Sequence, residues 1–412
     1  MKTFDELYGE LLRRKIARDE TLPEEYDPYH LDCLLHPEKY AAVLPIEECE
    51  KCAYDQACQN SCIFDAVERT DDGKLRINPD LCVGCEACIE ACRSGKLTAS
   101  RDALPAMKAV REAKGPVYMM VAPAFLGQFH EGVTPGKLRT AFKALGFTGM
   151  VEVALFADIL TLKEALEFDR HVRQIGDYQL TSCCCPVWIA MIRKIYHELM
   201  PHVPGAVSPM IACGRMIKRI HPDALTVFAG PCLAKKQEAR EPDVADAVDY
   251  VLTFQEVRDI FEAADIHPEE LHDAGKEHAS KAGRLYAKTG GVSQAVEEMV
   301  EQLCPDRGIR IRPEQADGPK ACMEMIQRIK EGRTDANFFE GMGCVGGCVG
   351  GPKAVLGAEK GREHVENYGN ASRFGTPLEN PYVRKVLEEL GLETVEQLLM
   401  DDGLLTRDFR MG

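Results

Sequence analysis

The chain has 412 residues, 45% of them hydrophobic, with a net charge of −16 and eighteen cysteines. That length suits two or three domains, and the acidic balance disfavours nucleic acid and anionic membranes as partners. So many cysteines in a chain with no sign of secretion argue for bound metal rather than disulfides.

The opening segment, MKTFDELYGELLRRKIARD, reads as an amphipathic charged helix and not as a signal peptide. No apolar run reaches the length of a membrane span, so a cytoplasmic protein is expected. The helix and a Pro/Tyr/His-rich connector, TLPEEYDPYHLDCLLHPEKY, fill residues 1–45. Residues 46–105 form a second zone, with eight cysteines and little else that could build a core. The third zone, residues 106–412, alternates short buried strands with helical patterns. VYMMVA (117–122), MVEVAL (150–155), LTVFAG (225–230) and VDYVLT (248–253) read as strands; PGKLRTAFKAL and LTLKEALEFDRHVRQI read as helices. The alternation predicts parallel sheets covered by helices. The basic stretches LLRRKIAR (11–18) and RMIKRI (215–220) are candidate docking patches for an acidic partner, or simply solvated helix faces.

Cys82, Cys85, Cys88 and Cys92 have the spacing C-x2-C-x2-C-x3-C, the bacterial ferredoxin pattern. Zinc is the alternative, but zinc-binding cysteine pairs usually stand further apart in sequence. Cys49, Cys52, Cys58 and Cys62 repeat the pattern with a second gap three residues longer, so AYDQA must bulge. In the swapped arrangement of two-cluster ferredoxins, Cys49, Cys52, Cys58 and Cys92 hold one [4Fe-4S] cluster, and Cys82, Cys85, Cys88 and Cys62 hold the other. Three further cysteine loops follow: TSCCCPVW (181–188), AGPCLAKKQEA (229–239) and FFEGMGCVGGCVGG (338–351).

These three loops, behind a ferredoxin-like block, resemble the cluster-binding loops of the [FeFe]-hydrogenases over about residues 110–412. The resemblance implies an α/β catalytic domain of two lobes of parallel-type sheets covered by helices, preceded by a small α+β ferredoxin-like domain. It implies an H-cluster: a [4Fe-4S] cubane bridged to a di-iron centre that carries its own carbon monoxide, cyanide and dithiolate ligands. Cys185, Cys232, Cys344 and Cys348 would ligate the cubane, with Cys348 as the bridge. Lys235 would face a cyanide, Met342 would pack near the bridging ligand, and Pro123 and Ala124 would line the pocket. Cys184 would relay protons, with Glu164 and Glu167 as carboxylates on one helix face; a solvated acidic face is the alternative reading of that pair.

The chain departs from the family pattern in four places. Val345 replaces a proline, Gly230 replaces a methionine, Pro204 replaces a relay serine, and the first loop carries one cysteine too many. Anchoring that loop on Cys-Pro-x-Trp makes Cys185 the ligand and Cys184 the relay thiol; anchoring on Thr-Ser-Cys-Cys shifts both by one. Cys33, Cys183, Cys213, Cys304 and Cys322 have no assigned role, although Cys33 lies near His30 and His36 in sequence. Lys236 is expected at the surface or behind the site. The implied reaction is the reversible reduction of protons to dihydrogen. Its implied partners are a ferredoxin or similar electron carrier and di-iron maturation proteins. A low-turnover hydrogen sensor and a hydrogenase-like iron–sulfur assembly protein without di-iron chemistry are the rivals.

Overall fold

The computed structural model describes residues 1–49, 52, 55–71, 73–181, 184–400, 403–407 and 409. Strands β1 (Val43–Pro45), β2 (Val67–Arg69), β3 (Leu75–Ile77) and β4 (Leu97–Ala99) make two antiparallel ladders, β1 with β4 and β2 with β3. Each cysteine group follows a strand and enters a short helix, Ala57–Asn60 or Ala87–Ala91. The expectation of little core here is corrected. Val43, Val67, Leu75, Ile77, Leu97 and Ala99 form a small core of their own with Cys49, Cys58, Cys82 and Cys88. It went unseen because its strands are three residues long, too short to show a period. The bulge expected in AYDQA falls partly outside the described residues. Its described members, Asp55 and Gln56, take φ of 45° and 55°, the left-handed region that a tight detour demands.

The larger part holds two parallel sheets. Strands β5 (Val117–Val121), β6 (Gly149–Glu152), β8 (Leu225–Gly230) and β9 (Tyr250–Thr253) run in the order β6-β5-β8-β9. Strands β7 (Gln179–Leu180), β10 (Pro313–Asp317) and β11 (Phe338–Met342) run β10-β11-β7. The predicted strands are all present, LTVFAG in full and the others with shifted ends. MVEVAL gives up its last residues to a helix that starts at Ala154, and VDYVLT begins only at Tyr250. That helix, Ala154–His171, is buried at every residue from Ala154 to Phe168. Its weak amphipathic signal therefore reflects a helix enclosed on all sides.

The Phe4–Ile16 helix is set by a Thr3/Glu6 capping box. It buries Phe4, Leu7, Tyr8, Leu11 and Leu12 in the main core, so the N-terminal segment is docked on the larger part. Its basic run is spent within the chain, Arg14 on Glu10 and Lys15 on Glu20. RMIKRI is similar: Arg215 pairs with Asp246 and Lys218 with Asp249. Among the described residues no helix is long and apolar enough to cross a membrane.

Candidate functional site

The site loops leave the carboxyl ends of parallel strands, where open α/β sheets place their ligands. VAPAF follows β5, the triple cysteine follows β7, Gly-Pro-Cys follows β8, and the glycine-rich loop follows β11.

In the first loop, Trp188 is buried and donates from Nε1 to Thr181 O at 3.1 Å, closing the loop on itself. Its indole lies flat on β11, where a Cβ on Gly341 would come within 2.1 Å of the ring. This clamp fixes Cys185 at the start of the Pro186–Lys194 helix, and the Cys185 thiol accepts from Gly343 N at 3.2 Å. Cys184 projects toward Cys348, the two being electrostatic neighbours. Cys183 and Ser182 lie outside the described residues.

The second loop carries Cys232 to the start of the Ala234–Ala239 helix. Lys235 Nζ lies 2.6 Å from Glu238 Oε2. Burial works against the ammonium, but Glu238, then Cys232 and Cys348, outweigh it and raise the Lys235 pKa above its ordinary value. In the third loop, Gly346 and Gly347 take φ of 84° and 83° in succession. A Cβ on Gly347 would meet Thr289 N at 2.7 Å, so this turn excludes side chains. Met342, at the end of β11, is buried. Pro123 and Ala124 open a 3-10 turn after β5, with Ala124 fully buried.

Cys185, Cys232, Cys344 and Cys348 converge. Burial raises each thiol, Cys232 to about 12, and the other three thiols add to the rise at Cys344. Four half-buried thiols that repel one another as thiolates need a cationic centre to ionise, and an iron–sulfur cluster supplies one. With a cation at Lys235 and a side-chain-free turn for close approach, the residues present fit a cubane with an anionic group beside it. The N-terminal cysteines gather in two groups. Cys58 neighbours Cys92, Cys52 and Cys49, while Cys82 and Cys85 neighbour Cys62. Cys85 in turn neighbours Cys344, which brings the two cysteine systems together.

Glu164 and Glu167 are buried, so the solvated-face reading is overturned. Glu167 Oε1 pairs with Lys163 Nζ at 3.0 Å, and burial raises its pKa. Pro204 is buried and offers no hydroxyl. Beside Cys184 and Cys185 lies a cavity of about 10 Å³, the space of about one water, bordered by Ser208, Glu238, Glu241 and Arg407.

Lys236 is corrected from a surface residue to a buried hub. Its Nζ reaches Ser100 O and Asp102 Oδ1 at 3.0 Å and Glu256 Oε2 at 2.9 Å. Cys322 was missed: its thiol donates to Met342 O at 3.4 Å under the third loop. No local pattern marks it, because the helix that carries it is brought there by β10. Cys33 and the histidines are not gathered. His30 Nε2 contacts Ile46 O and His36 contacts Glu38, while Cys33 is buried beside Tyr29 and Tyr40. Cys213 is core and Cys304 half-buried.

A family model described as the C-terminal domain of the iron-only hydrogenase large subunit matches residues 115–352, and a 4Fe-4S binding-domain model matches residues 75–95. The NADP-reducing hydrogenase subunit HndD of Solidesulfovibrio fructosivorans is 24% identical over 90% of this chain and 76% of its own length. Iron hydrogenase 1 of Clostridium pasteurianum is 27% identical over 52% of this chain and 45% of its own, so the chain spans under half of that enzyme. Cytosolic iron-sulfur assembly component 3 of Bos taurus is 24% identical over 76% of this chain and 80% of its own. In fold, a variant of [FeFe]-hydrogenase HydA1 from Chlamydomonas reinhardtii matches with a TM-score of 0.60 at 21% identity, covering 73% of this chain and 97% of that one. With more than half its length matched by the family model, the chain belongs to the iron-only hydrogenase large-subunit family.

Proposed function

We propose that the protein is an [FeFe]-hydrogenase that catalyses the reversible reduction of protons to dihydrogen. Electrons from a ferredoxin-type carrier would pass through two N-terminal [4Fe-4S] clusters and a third cubane to a di-iron centre inserted by maturation proteins. The observation that carries this reading is the convergence of four half-buried thiols with the Lys235 ammonium and the Cys184 thiol at the strand ends. The di-iron group, when bound, supplies the site at which protons and electrons combine.

The chain's own residues do the rest. Cys185, Cys232, Cys344 and Cys348 would hold the cubane, and Cys348 would also hold the di-iron unit. Lys235, kept charged by Glu238, would donate to anionic ligands beside it. Pro123, Ala124 and Met342 exclude water from the pocket. Cys184 Sγ holds and hands over a proton, with Glu164 and Glu167 behind it. The domain division at residues 46–105 and 106–412 follows the two cysteine systems, and a cytoplasmic setting suits both the thiols and the carrier.

Infrared spectroscopy tests the reading. Protein made with di-iron maturation proteins should show bands of metal-bound carbon monoxide and cyanide, and protein made without them should show none. Matured protein with its full set of cubanes and no such bands would leave the assembly-protein reading in place. That second reading has an observation of its own: Glu167 is paired with Lys163, and Pro204 stands without a hydroxyl where the family has a relay serine.

A further inference from the structure

Lys353 lies five residues beyond Cys348, outside the thiols and carboxylates described above. Its backbone N–H donates at 3.0 Å to the carbonyl of Pro231, the residue before Cys232. Its ammonium extends the other way, to 2.7 Å from Glu86 Oε2. Glu86 stands between Cys85 and Cys88 on the ferredoxin-type loop, is 3% exposed, and is held at a φ of 66°. Its second oxygen is buried without a hydrogen-bond partner among the described residues, so Lys353 is the one charged group paired with this carboxylate there. Two residues earlier, Gly84 packs so tightly on the second site loop that a Cβ would stand 3.1 Å from the backbone of Ala234.

The pair therefore bridges the donor loop and the site loops, and it does so with a direction. The negative end belongs to the donor loop and the positive end to the segment that joins Cys348 to the Pro231–Cys232 turn. An apolar contact would fasten these loops at lower desolvation cost. A buried charge pair does something more: standing 2.7 Å apart, the two charges partly cancel but leave a dipole directed from one loop to the other, and charge near an iron–sulfur cluster helps set its potential. A carboxylate beside the donor makes an added electron less welcome there, and an ammonium beside the acceptor makes it more welcome.

We propose that the Glu86–Lys353 pair sets the downhill step for an electron passing from the cluster of Cys62, Cys82, Cys85 and Cys88 to the cubane of Cys185, Cys232, Cys344 and Cys348. One electron leaves the first centre and enters the second; no bond changes and no proton moves. The inference rests on the cluster assignment proposed above. A unit charge about 10 Å from a centre, at an effective dielectric constant of about 20, shifts such an equilibrium roughly tenfold.

The test is a redox titration followed by electron paramagnetic resonance, on full-length protein carrying its cubanes but no di-iron unit. E86Q should raise the donor potential and K353M should lower the acceptor potential. Each should move the nearer centre's potential by about tenfold in its equilibrium constant, or ~59 mV for one electron, and shrink the step by that shift less the smaller one at the other centre. The double exchange of Glu86→Lys with Lys353→Glu keeps an ion pair but reverses it, and should shrink the step by more than either single variant. An exchanged protein with both potentials unchanged would show that the pair is only a strap, and the proposal would fall. If the exchanged protein does not fold, E86Q with full iron content and an unmoved donor potential overturns it alone. An iron count lacking the third cubane would instead sink the cluster assignment on which the inference stands.

Discussion

Replacing the adjacent cysteines of the first loop one at a time separates the two registers that the triple cysteine allows. Twelve thiols are assigned to clusters, four to each cubane, so the protein without its di-iron unit should hold three cubanes and about twelve irons. Cys185 accepts the Gly343 N–H and sits among Cys232, Cys344 and Cys348, and the Trp188 clamp leaves it nowhere else to go. Cys185→Ala should therefore cost one whole cubane, bringing iron to about eight per chain, since a [4Fe-4S] cluster is held by four thiolates and this one would keep three. Cys184→Ala removes no ligand and should keep all twelve irons. After maturation it should keep its infrared bands and lose most of its turnover. Cys183→Ser should be mild in both respects. Iron analysis and electron paramagnetic resonance of the reduced proteins read the result directly. If Cys184→Ala holds about eight irons and Cys185→Ala about twelve, the Trp188 anchor is wrong and the relay thiol must be sought one position earlier.

Other outcomes follow from single contacts. Lys236→Met removes the ammonium shared by Asp102 and Glu256, leaving Asp102 with Arg240 and Glu256 with the N–H groups of Asp102, Ala103 and Thr253; these partners hold the loss to about 1–3 kcal/mol, and a calorimetric melting temperature unchanged from the parent would contradict the hub. Gly347→Ala carries about 1–3 kcal/mol of backbone strain plus the clash with Thr289 N, and should lower the iron retained in the C-terminal cubane. Gly391→Ala, with φ of 75° and open space around it, should show the strain alone and keep its iron. His278 is pushed down to about 4 by burial and by Arg139, Lys276 and Arg284. The unfolded chain thus takes up this proton first, and stability should fall as pH drops from about 6.5 toward 4. For a half-exposed ring the loss is about 1–2 kcal/mol, and His278→Gln should flatten that part of the melting curve.

The strands and the cysteine spacing were legible because each is a local pattern. LTVFAG maps onto β8 residue for residue, and the three cysteine loops of the site could be picked out by their wording, the VAPAF segment only by resemblance to the family. The unread features are those made by distant partners. Lys236 looks like any lysine on a short helix until Ser100, Asp102 and Glu256 are folded around it. The Ala154–His171 helix carries Lys163, Glu164 and Glu167 and so reads as half-solvated. It is enclosed because the Gly291–Leu303 helix, the Lys281–Leu285 turn and the Val395–Met400 segment all pack against it. Cys322, Glu86 and Lys353 gain their meaning only from a neighbour far along the chain.

Relatives at 24% identity include both a hydrogenase subunit and iron–sulfur assembly components, so overall similarity does not separate an enzyme from an assembly protein; the proposed activity rests instead on the charges around the pocket. A protein that only carried cubanes would need the buried thiols and the close-packed glycine turn. It would gain nothing from a lysine sunk beside Cys348 and held charged by Glu238, because burying an ammonium is costly unless an anion repays it. Glu238 supplies one such anion, and an ammonium has three donors, which leaves capacity directed at whatever stands next to Cys348. An anionic ligand set on a di-iron unit meets that need. Lys235→Met should then keep every cubane while losing the carbon monoxide and cyanide bands, and Lys235→Arg should keep part of them. A Lys235→Met protein that matures as fully as the parent would mean that the lysine serves Glu238 alone, and the argument from charge to di-iron chemistry would fail with it.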